Sequence, residues 1–217
     1  MRKEELKKLI ASFTSEDYYK NVDLHMHSTF SDGKLEPVEI VEQAQKKGLK
    51  YIAIADHNTI DAYLATNILK DEMVIPAVEF DCIYKGVLIH ILGYGIDIDN
   101  KGLKSLYSDN YLGCKANWYR LTKLRNPKEV IEKIKKAGGI PVMAHPCCCW
   151  MFNLDKFVGE FVEMGIEGIE VYYPYNGMRS IVKFHSRKKI EAIAEKYNLI
   201  KTGGSDFHGK KLISFFS

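Results

Sequence analysis

The 217-residue sequence contains no long hydrophobic run, and no apolar stretch approaches the roughly 20 residues that a membrane-spanning helix needs. Its first residues, MRKEELKKLIASFTSEDYY, are charged and hold neither a long apolar segment nor a small-residue cleavage site. We therefore expect no membrane span and no signal peptide, and these expectations favour a cytoplasmic location.

Cysteine is scarce and is not arranged for cross-linking. The five cysteines are an odd number, no C-x-x-C pair occurs, and three of them are consecutive: Cys82, Cys114, Cys147, Cys148 and Cys149. This pattern excludes a disulfide framework and a zinc ribbon. A reducing compartment fits best, and Cys147–Cys149 are interpreted as small side chains that pack a loop, with soft-metal binding or redox sensitivity as the alternative.

The chain also lacks a large excess of either charge. Thirty-one basic residues against 28 acidic ones give a net charge of +3, and 46% of the residues are hydrophobic. The balance is too weak to predict a stable nucleic-acid complex or binding to an anionic membrane, although it does not repel a phosphate. Length and composition fit one globular domain, and they leave the oligomeric state open.

Short apolar strands alternate with amphipathic helices along the chain. Strands are predicted at NVDLHMH, KYIAIAD, MVIPAVEFDCI, GVLIHILGYGI, GIPVMAHP, EGIEVYY and LIKTGGSD. Helices are predicted at 2–13, 36–49, 59–70, 127–137, 154–164 and 180–197. A turn is expected at Tyr84–Gly86, and residues 97–126 are interpreted as a small helical insertion. Seven strands separated mostly by helices predict a mostly parallel α/β fold.

Histidines and carboxylates gather at or just after the ends of these predicted strands, except for His90, which lies within the fourth strand. They are His25, His27, Asp32, His57, Glu79, His90, His145, Asp206 and His208. In α/β barrels the carboxyl-terminal ends of the strands build the active site. Six strands that deliver titratable side chains to one end are hard to explain as core packing.

The pair His25 and His27 has a spacing of two residues, so both side chains point to one face of a strand. A lone strand histidine is usually half-buried and hydrogen-bonded, but the pair followed by Asp32 favours a metal site. Glu79 lies among apolar residues, where an unpaired charge costs several kcal/mol and a metal ion is an economical partner.

Other members of the set are open to simpler interpretations. Asp56 or Asn58 could cap a helix, while His57 binds metal. His90 taken alone is more typical of a core histidine. The glycines of GGSDFHG allow close approach to a ligand around Asp206, but they also fit a flexible loop. Six histidines and three carboxylates suit zinc, manganese or iron, and nine ligands indicate two or three ions.

Six stretches taken together resemble the PHP superfamily, that of polymerases and histidinol phosphatases. They are DLHMHSTFSDG, IAIADHNTI, PAVEF, IHILGY, AHP and TGGSDFHG, and they span residues 21–209. The resemblance implies a distorted seven-stranded (β/α)7 TIM-like barrel, which we place over residues 21–217. The helical extension at 1–20 departs from the family, because it precedes the usual start. The resemblance also implies a trinuclear metal site, with His25, His27, Glu79 and Asp206 on the first ion. Glu79 would bridge to a second ion held by His90 and His145, and Asp32, His57 and His208 would hold the third.

The resemblance further implies hydrolysis of phosphomonoesters or short phosphodiesters by a metal-bound hydroxide. Small stand-alone phosphoesterases that act on nucleotides or oligoribonucleotides are the most similar branch. Histidinol-phosphate phosphatase and a non-catalytic metal-binding regulatory module remain as alternatives. The branch also leads us to expect a longer segment than the nine residues after His208, so a partial chain is a third possibility.

Two further groups could contact a substrate. Arg179 and His185 could hold a phosphate, although a solvated helix start explains them equally well. Tyr107, Tyr111, Trp118 and Tyr119 could stack on a base, but packing within the insertion is the preferred interpretation. The run at 187–189 is interpreted as a solvated helix face.

Overall fold

The computed structural model describes residues 2–107, 124–174 and 183–209. In these ranges the strands are β1 (Val22–Met26), β2 (Tyr51–Ile54), β3 (Ala77–Tyr84), β4 (Val87–Tyr94), β5 (Ile140–Met143), β6 (Gly168–Tyr172) and β7 (Ile200–Gly203). The helices are α1 (Lys3–Ser12), α2 (Ser15–Lys20), α3 (Pro37–Lys46), α4 (Asp61–Ala65), α5 (Lys101–Lys104), α6 (Pro127–Lys136), α7 (Leu154–Met164) and α8 (Arg187–Lys196). Two 3₁₀ turns lie at Ile68–Lys70 and Pro146–Cys148.

The seven described strands pair in two groups. β1 pairs in parallel with β2, and β3 to β7 form a five-stranded sheet in chain order. Within that sheet β4 is antiparallel to both of its neighbours, whereas β5, β6 and β7 run parallel. The predicted α/β class is confirmed.

Single bridges connect the two groups. His57, just after β2, bridges to Glu79 in β3, and Met26 at the end of β1 bridges to Phe207 after β7. The described strands therefore do not form one barrel closed by continuous hydrogen-bonded strand pairs. The bridges nevertheless bring the ends of β1, β2 and β7 and the strand β3 close together. The predicted site residues lie where these strands come together.

The turn between β3 and β4 is the predicted one. Lys85 and Gly86 both have positive φ, the combination that a two-residue hairpin requires, and Tyr84 pairs directly with Val87. The resulting register places Asp81 opposite His90. A local turn thus sets two polar side chains of neighbouring strands side by side.

Helices cover the strands with their apolar faces. Leu6 and Ile10 of α1 are buried, as are Ile40 and Ala44 of α3, and all of them belong to one continuous core. The α3 helix begins at Pro37, whose fixed φ suits the first helical position. No helix among the described residues is both long and apolar enough to span a membrane.

Two predicted helices are shorter than the sequence indicated. The segment 59–70 breaks after Ala65, where the Thr66 hydroxyl donates to the Ala62 carbonyl, and only a 3₁₀ turn follows. The last helix starts at Arg187 rather than at 180, because the Ser186 hydroxyl accepts from the Lys189 amide and caps it. Positions 108–123 of the predicted insertion and positions 180–182 lie outside the described residues, and α5 is the described helix of the insertion.

Candidate metal centre

A single carboxylate, Glu79 in β3, lies at the middle of the polar end of the strands, and its side chain is fully buried. Five imidazoles each place a ring nitrogen 2.9–3.3 Å from one of its two oxygens: His25, His27, His57, His90 and His145. A carboxylate in this position can bridge cations, because each oxygen has its own set of nitrogen neighbours.

Asp32 and Asp206 extend the cluster on the side of β1. Asp32 Oδ1 lies 2.8 Å from His208 Nε2 and 3.7 Å from His27 Nδ1. Asp206 Oδ1 lies 3.2 Å from His27 Nε2 and 3.8 Å from His25 Nε2. The two aspartates therefore contact opposite ring nitrogens of His27, the residue that follows β1.

The nine predicted ligands fall into four overlapping groups in which one ligand atom from each member lies within 4.8 Å of all the others. The groups are His27, Asp32, His57 and His208; His25, His27 and Asp206; His25, Glu79 and His145; and His57, Glu79 and His90. The structure thus brings all nine together. Four residues, His25, His27, His57 and Glu79, each belong to two groups. Neighbouring ions with bridging ligands require such shared residues.

Several of these atoms are buried and make ion-pair contacts of 3.2–3.8 Å, but no hydrogen bond of good geometry. In the described part of the chain they include His25 Nε2, both ring nitrogens of His27 and Glu79 Oε2. A buried polar atom that lacks a good hydrogen bond costs free energy, so a cluster of such atoms indicates that a ligand completes it. Imidazole nitrogen and carboxylate oxygen together suit divalent transition metals, and the donor set fits more than one divalent ion.

The protonation of the metal-free cluster follows from burial and close charges. Burial on its own lowers the pKa of a histidine, but neighbouring carboxylates outweigh it and raise the pKa of His27 and of His145 to about 9. Burial dominates at His57, whose pKa falls to about 4. Burial also disfavours ionised Glu79, yet the imidazoles around it hold its pKa well below the usual range. Glu79 is therefore ionised and can bind cations.

Carboxylates that the sequence did not single out as site residues hold the predicted ligands in place. Glu170 in β6 is fully buried; its Oε1 accepts from His25 Nδ1 at 3.0 Å and its Oε2 accepts from the His145 amide at 2.7 Å. Asp81 Oδ1 lies 2.9 Å from His57 Nδ1 and 3.2 Å from His90 Nε2. Such outer carboxylates fix ring orientation and tautomer. The signal that could have found Glu170 is the one that marked Glu79, an acidic residue inside an apolar strand.

The helix-capping interpretation of the DHN stretch is wrong. Asp56 accepts hydrogen bonds from Ser28 and Ser31, and Asn58 donates to Asp81 at 2.6 Å. The following helix has Ile60 at its cap position, without a side-chain cap bond. Both residues instead tie the loops around the metal cluster together. The core-histidine interpretation of His90 fails as well, because the ring is part of the cluster and is 25% exposed.

Three residues of the site have a backbone that L-amino acids adopt rarely. His145 has φ 25°, Asp206 has φ 51° and Asn58 has φ 58°. Positive φ in residues other than glycine costs about 1–3 kcal/mol and persists only where the surroundings impose it. Here it aims the side chains of His145 and Asp206 into the cluster.

The two residues predicted to contact substrate have different outcomes. Arg179 lies outside the described residues. His185 is buried beside the loop that follows His145, with its Nδ1 3.4 Å from Lys189 Nζ, and it belongs to none of the four ligand groups of the described chain.

Two smaller predictions concern the aromatic residues of the insertion and the basic run at 187–189. Tyr107 packs on Phe80 with ring centroids 6.1 Å apart, in agreement with the packing interpretation, whereas Tyr111, Trp118 and Tyr119 lie outside the described residues. Arg187 is not simply solvated, since its guanidinium lies over the ring of Tyr172.

The cysteine triplet packs as predicted at two of its three positions. Cys147 and Cys149 are buried in the core, and Cys148 is half-buried. A hydrogen bond from Cys147, assisted by the positive charge of His145, lowers the pKa of Cys148 to about 7.

Comparison with known proteins gives a consistent result. A family model described as the PHP domain matches residues 23–203. The chain is 23% identical over 257 aligned positions to the phosphoribosyl 1,2-cyclic phosphate 1,2-diphosphodiesterase of Eggerthella lenta, covering 87% of this chain and 94% of that protein. It is 24% identical to the 3′,5′-nucleoside bisphosphate phosphatase of Chromobacterium violaceum, covering 87% of each. The solved structure of an amidohydrolase from Chromobacterium violaceum superposes with a TM-score of 0.73 at 20% identity over 88% of each chain, a likeness that shows the fold alone.

Proposed function

The chain belongs to the PHP domain family of metal-dependent phosphoesterases, and from this premise we propose that it hydrolyses nucleotides or short oligoribonucleotides at a trinuclear metal site. The observation that carries the proposal is the buried Glu79 carboxylate with five imidazoles around it, several of whose nitrogens make no hydrogen bond of good geometry in the described chain. A structural core would not retain this many unsatisfied buried groups.

We take the ligand sets from the resemblance of the motifs to those of the PHP superfamily. His25, His27, Glu79 and Asp206 would hold a first ion, and Glu79 would also hold a second ion together with His90 and His145. Asp32, His57 and His208 would hold a third ion. The close groups support this division in keeping His25 and His27 with Asp206, and Asp32 with His57 and His208. They differ from it in also placing His27 with Asp32 and His57 with Glu79. Imidazole and carboxylate donors suit manganese, zinc or iron.

The ions supply the charge that neutralises phosphate oxygens and activates water, and the protein supplies position. Glu170 holds the rings of His25 and the backbone of His145, so that both keep one orientation. Tyr173 donates its hydroxyl hydrogen to Asp206 Oδ2 at 2.9 Å, which leaves the other oxygen facing the histidine pair.

We also propose limits for the domain. We place one PHP barrel over residues 21–217, with a helical extension at 1–20 and an insertion at about 97–126. The single bridges at Met26–Phe207 and His57–Glu79 support closure of the strands into a distorted barrel. The family match over residues 23–203 supports one domain.

The test is product release by protein that has been stripped with a chelator and reloaded with manganese. The substrates are a nucleoside 3′,5′-bisphosphate, a short RNA, a ribose 1,2-cyclic phosphate, histidinol phosphate and a phosphotyrosine peptide. We expect manganese-dependent release from a nucleotide substrate well above the others. Preference for histidinol phosphate would support the alternative phosphatase, and silence across the panel with metal bound would support a regulatory module.

A matched pair of variants tests the assignment of the site. Asp206→Ala removes an oxygen that contacts His27 and should abolish turnover, whereas Asp99→Ala removes an exposed carboxylate and should leave turnover unchanged. Full activity of clean Asp206→Ala protein would overturn the ligand assignment.

A further inference from the structure

Three large aromatic side chains in the segments that follow His145 and precede His185 are exposed to solvent rather than packed in the core. Trp150 is 76% exposed, Phe152 is 99% exposed and Phe184 is 46% exposed. Trp150 and Phe184 are also ordered against each other, with ring centroids 6.0 Å apart and planes 7° from parallel. The two rings stack on each other and keep open apolar surface, and we call this pair the platform.

The platform is fixed to the loop that leaves the metal centre. This loop starts at His145, passes through a 3₁₀ turn and reaches Trp150 five residues later. The amide of Phe184 donates to the carbonyl of Cys147 at 2.8 Å, so the second ring is tethered to the same loop. Five residues span at most about 18 Å when fully extended, and the turn shortens this reach. The backbone of Trp150 therefore lies less than about 18 Å from that of His145, and Phe184 is hydrogen-bonded to a residue two positions after His145.

We infer that Trp150 and Phe184 form a stacking surface for the base of a nucleotide whose phosphate occupies the metal centre. The inference rests on the proposed function and deepens it, since it says which part of the substrate contacts the protein beyond the phosphate. Stacking on an aromatic ring accepts any base, because every base has a π-face. Substrate selection on this surface is therefore for the presence of a base rather than for its identity.

A small ligand fits this platform better than a protein partner does. Stable protein interfaces bury on the order of 1,000 Å² or more, and two or three aromatic rings offer only part of that area. Lys183 precedes Phe184 in the chain and adds positive charge on the same segment. An aromatic surface with a neighbouring cation matches the base and the phosphate of a nucleotide.

The kinetic test compares Trp150→Ala with Phe152→Ala, which removes an even more exposed ring from the same loop. The substrates are a nucleoside 3′,5′-bisphosphate and its counterpart with hydrogen in place of the base. Loss of one stacked base by alanine substitution corresponds to a factor of roughly 5 to 150. We expect Trp150→Ala to raise KM for the nucleotide about tenfold without lowering kcat, and to leave the abasic substrate unaffected. Trp150→Phe should restore most of the loss, and Phe152→Ala should behave as wild type.

A binding test separates failure of this inference from failure of the proposed function. The sequence holds two tryptophans, so Trp118→Phe leaves Trp150 as the single tryptophan, which excitation at about 295 nm selects over the tyrosines. Adenosine monophosphate should quench its fluorescence and ribose 5-phosphate should not. If adenosine monophosphate quenched the fluorescence of a protein that releases no phosphate from any substrate, the platform would still be a base-binding surface. The phosphoesterase proposal would be overturned.

Other outcomes would overturn the platform itself. These are normal turnover without quenching, equal losses of Trp150→Ala on the nucleotide and the abasic substrate, or no loss on either. Size-exclusion chromatography covers the remaining case. Dissociation of an oligomer by Trp150→Ala with an unchanged KM would show that the rings bind a second copy of the chain instead of a base.

Discussion

Glu170 shows how a residue outside the ligand set controls it. It holds His25 and the backbone of His145 at the same time, and it is fully buried. We expect Glu170→Gln to weaken metal affinity by about 10- to 100-fold, because the ring of His25 loses its anionic partner. Competition with a fluorescent chelator measures the affinity.

Glu167→Gln is the matched control, since Glu167 lies three positions earlier and pairs with Lys3 and Lys7 near the surface. Equal affinity of the Glu170→Gln variant and the wild type would show that the outer carboxylate does not position the ligands.

The raised pKa values of His27 and His145 make a prediction about the metal-free protein. Each pKa is about 9 in the folded state against roughly 6.5 in an unfolded chain, so both imidazoles hold a proton more tightly when folded. Their stabilisation is complete below pH about 6.5 and is lost as the pH rises through 9. Cys148, with a pKa of about 7, acts in the opposite direction but is a single group. Calorimetry of chelated protein should therefore show a falling Tm between pH 6.5 and 9.

Metal-saturated protein is the control for this pH dependence. Metal binds the neutral imidazole, so affinity increases and protons compete less as the pH rises over the same interval. The difference in Tm between the loaded and the stripped protein should widen towards pH 9. A constant difference would mean that His27 and His145 do not exchange protons for metal.

At the scale of elements, Gly204 fixes the approach of the last strand to the first. A Cβ added at Gly204 would lie 2.2 Å from the Cβ of His25 and 2.4 Å from its backbone nitrogen. Gly204→Ala should thus push β1 away and lower the free energy of unfolding by about 3 kcal/mol or more, as overpacking of a rigid site does. Urea denaturation measures the change.

Gly86→Ala is the comparison for this substitution. Gly86 has φ 77° but open space around it, so only backbone strain of about 1 kcal/mol is expected. A smaller effect at Gly204 than at Gly86 would contradict close packing of β1 against the segment after β7.

The elements that were predictable from the sequence are those with local signals. The hairpin turn at Lys85–Gly86 and the start of α3 at Pro37 depend on residues within a few positions, and the structure confirms both. The antiparallel pairing of β4 with β5 depends on contacts across some 50 residues, for which no local pattern exists. The broken helix at 59–70 depends on one side-chain bond from Thr66, which periodicity alone does not show.

The site follows the same division. The spacing of His25 and His27 and the isolated acid Glu79 identified ligand candidates, because spacing on a strand decides which face a side chain takes. The partners of those ligands were not predictable in this way. Asp81 appears as one of several acids near strand ends, and its role emerges only when the register places it opposite His90.

For the molecule as a whole, removal of metal should lower thermal stability. An ion present at 100 times its Kd stabilises the folded state by about 2.7 kcal/mol, and 1 kcal/mol shifts Tm by roughly 2–4 °C in a chain of this size. We therefore expect a chelator to lower Tm by about 5–10 °C for each such ion, and manganese to restore it.

Magnesium serves as the control ion, since it prefers oxygen ligands and discriminates against a histidine-rich site. If magnesium restored Tm as completely as manganese does, this result would argue against coordination by imidazole.

The contact of β1 with the segment after β7 has a consequence for synthesis of the protein. The His27 amide donates to the Phe207 carbonyl, the Phe207 amide donates to the His25 carbonyl, and the rings of His27 and His208 lie 4.0 Å apart. A ribosome adds roughly 5–20 residues per second, so about 10–40 s separate the appearance of His27 from that of His208. During translation the nascent chain holds an incomplete ligand set. The complete ligand set is consequently available to ions only after His208 has been added.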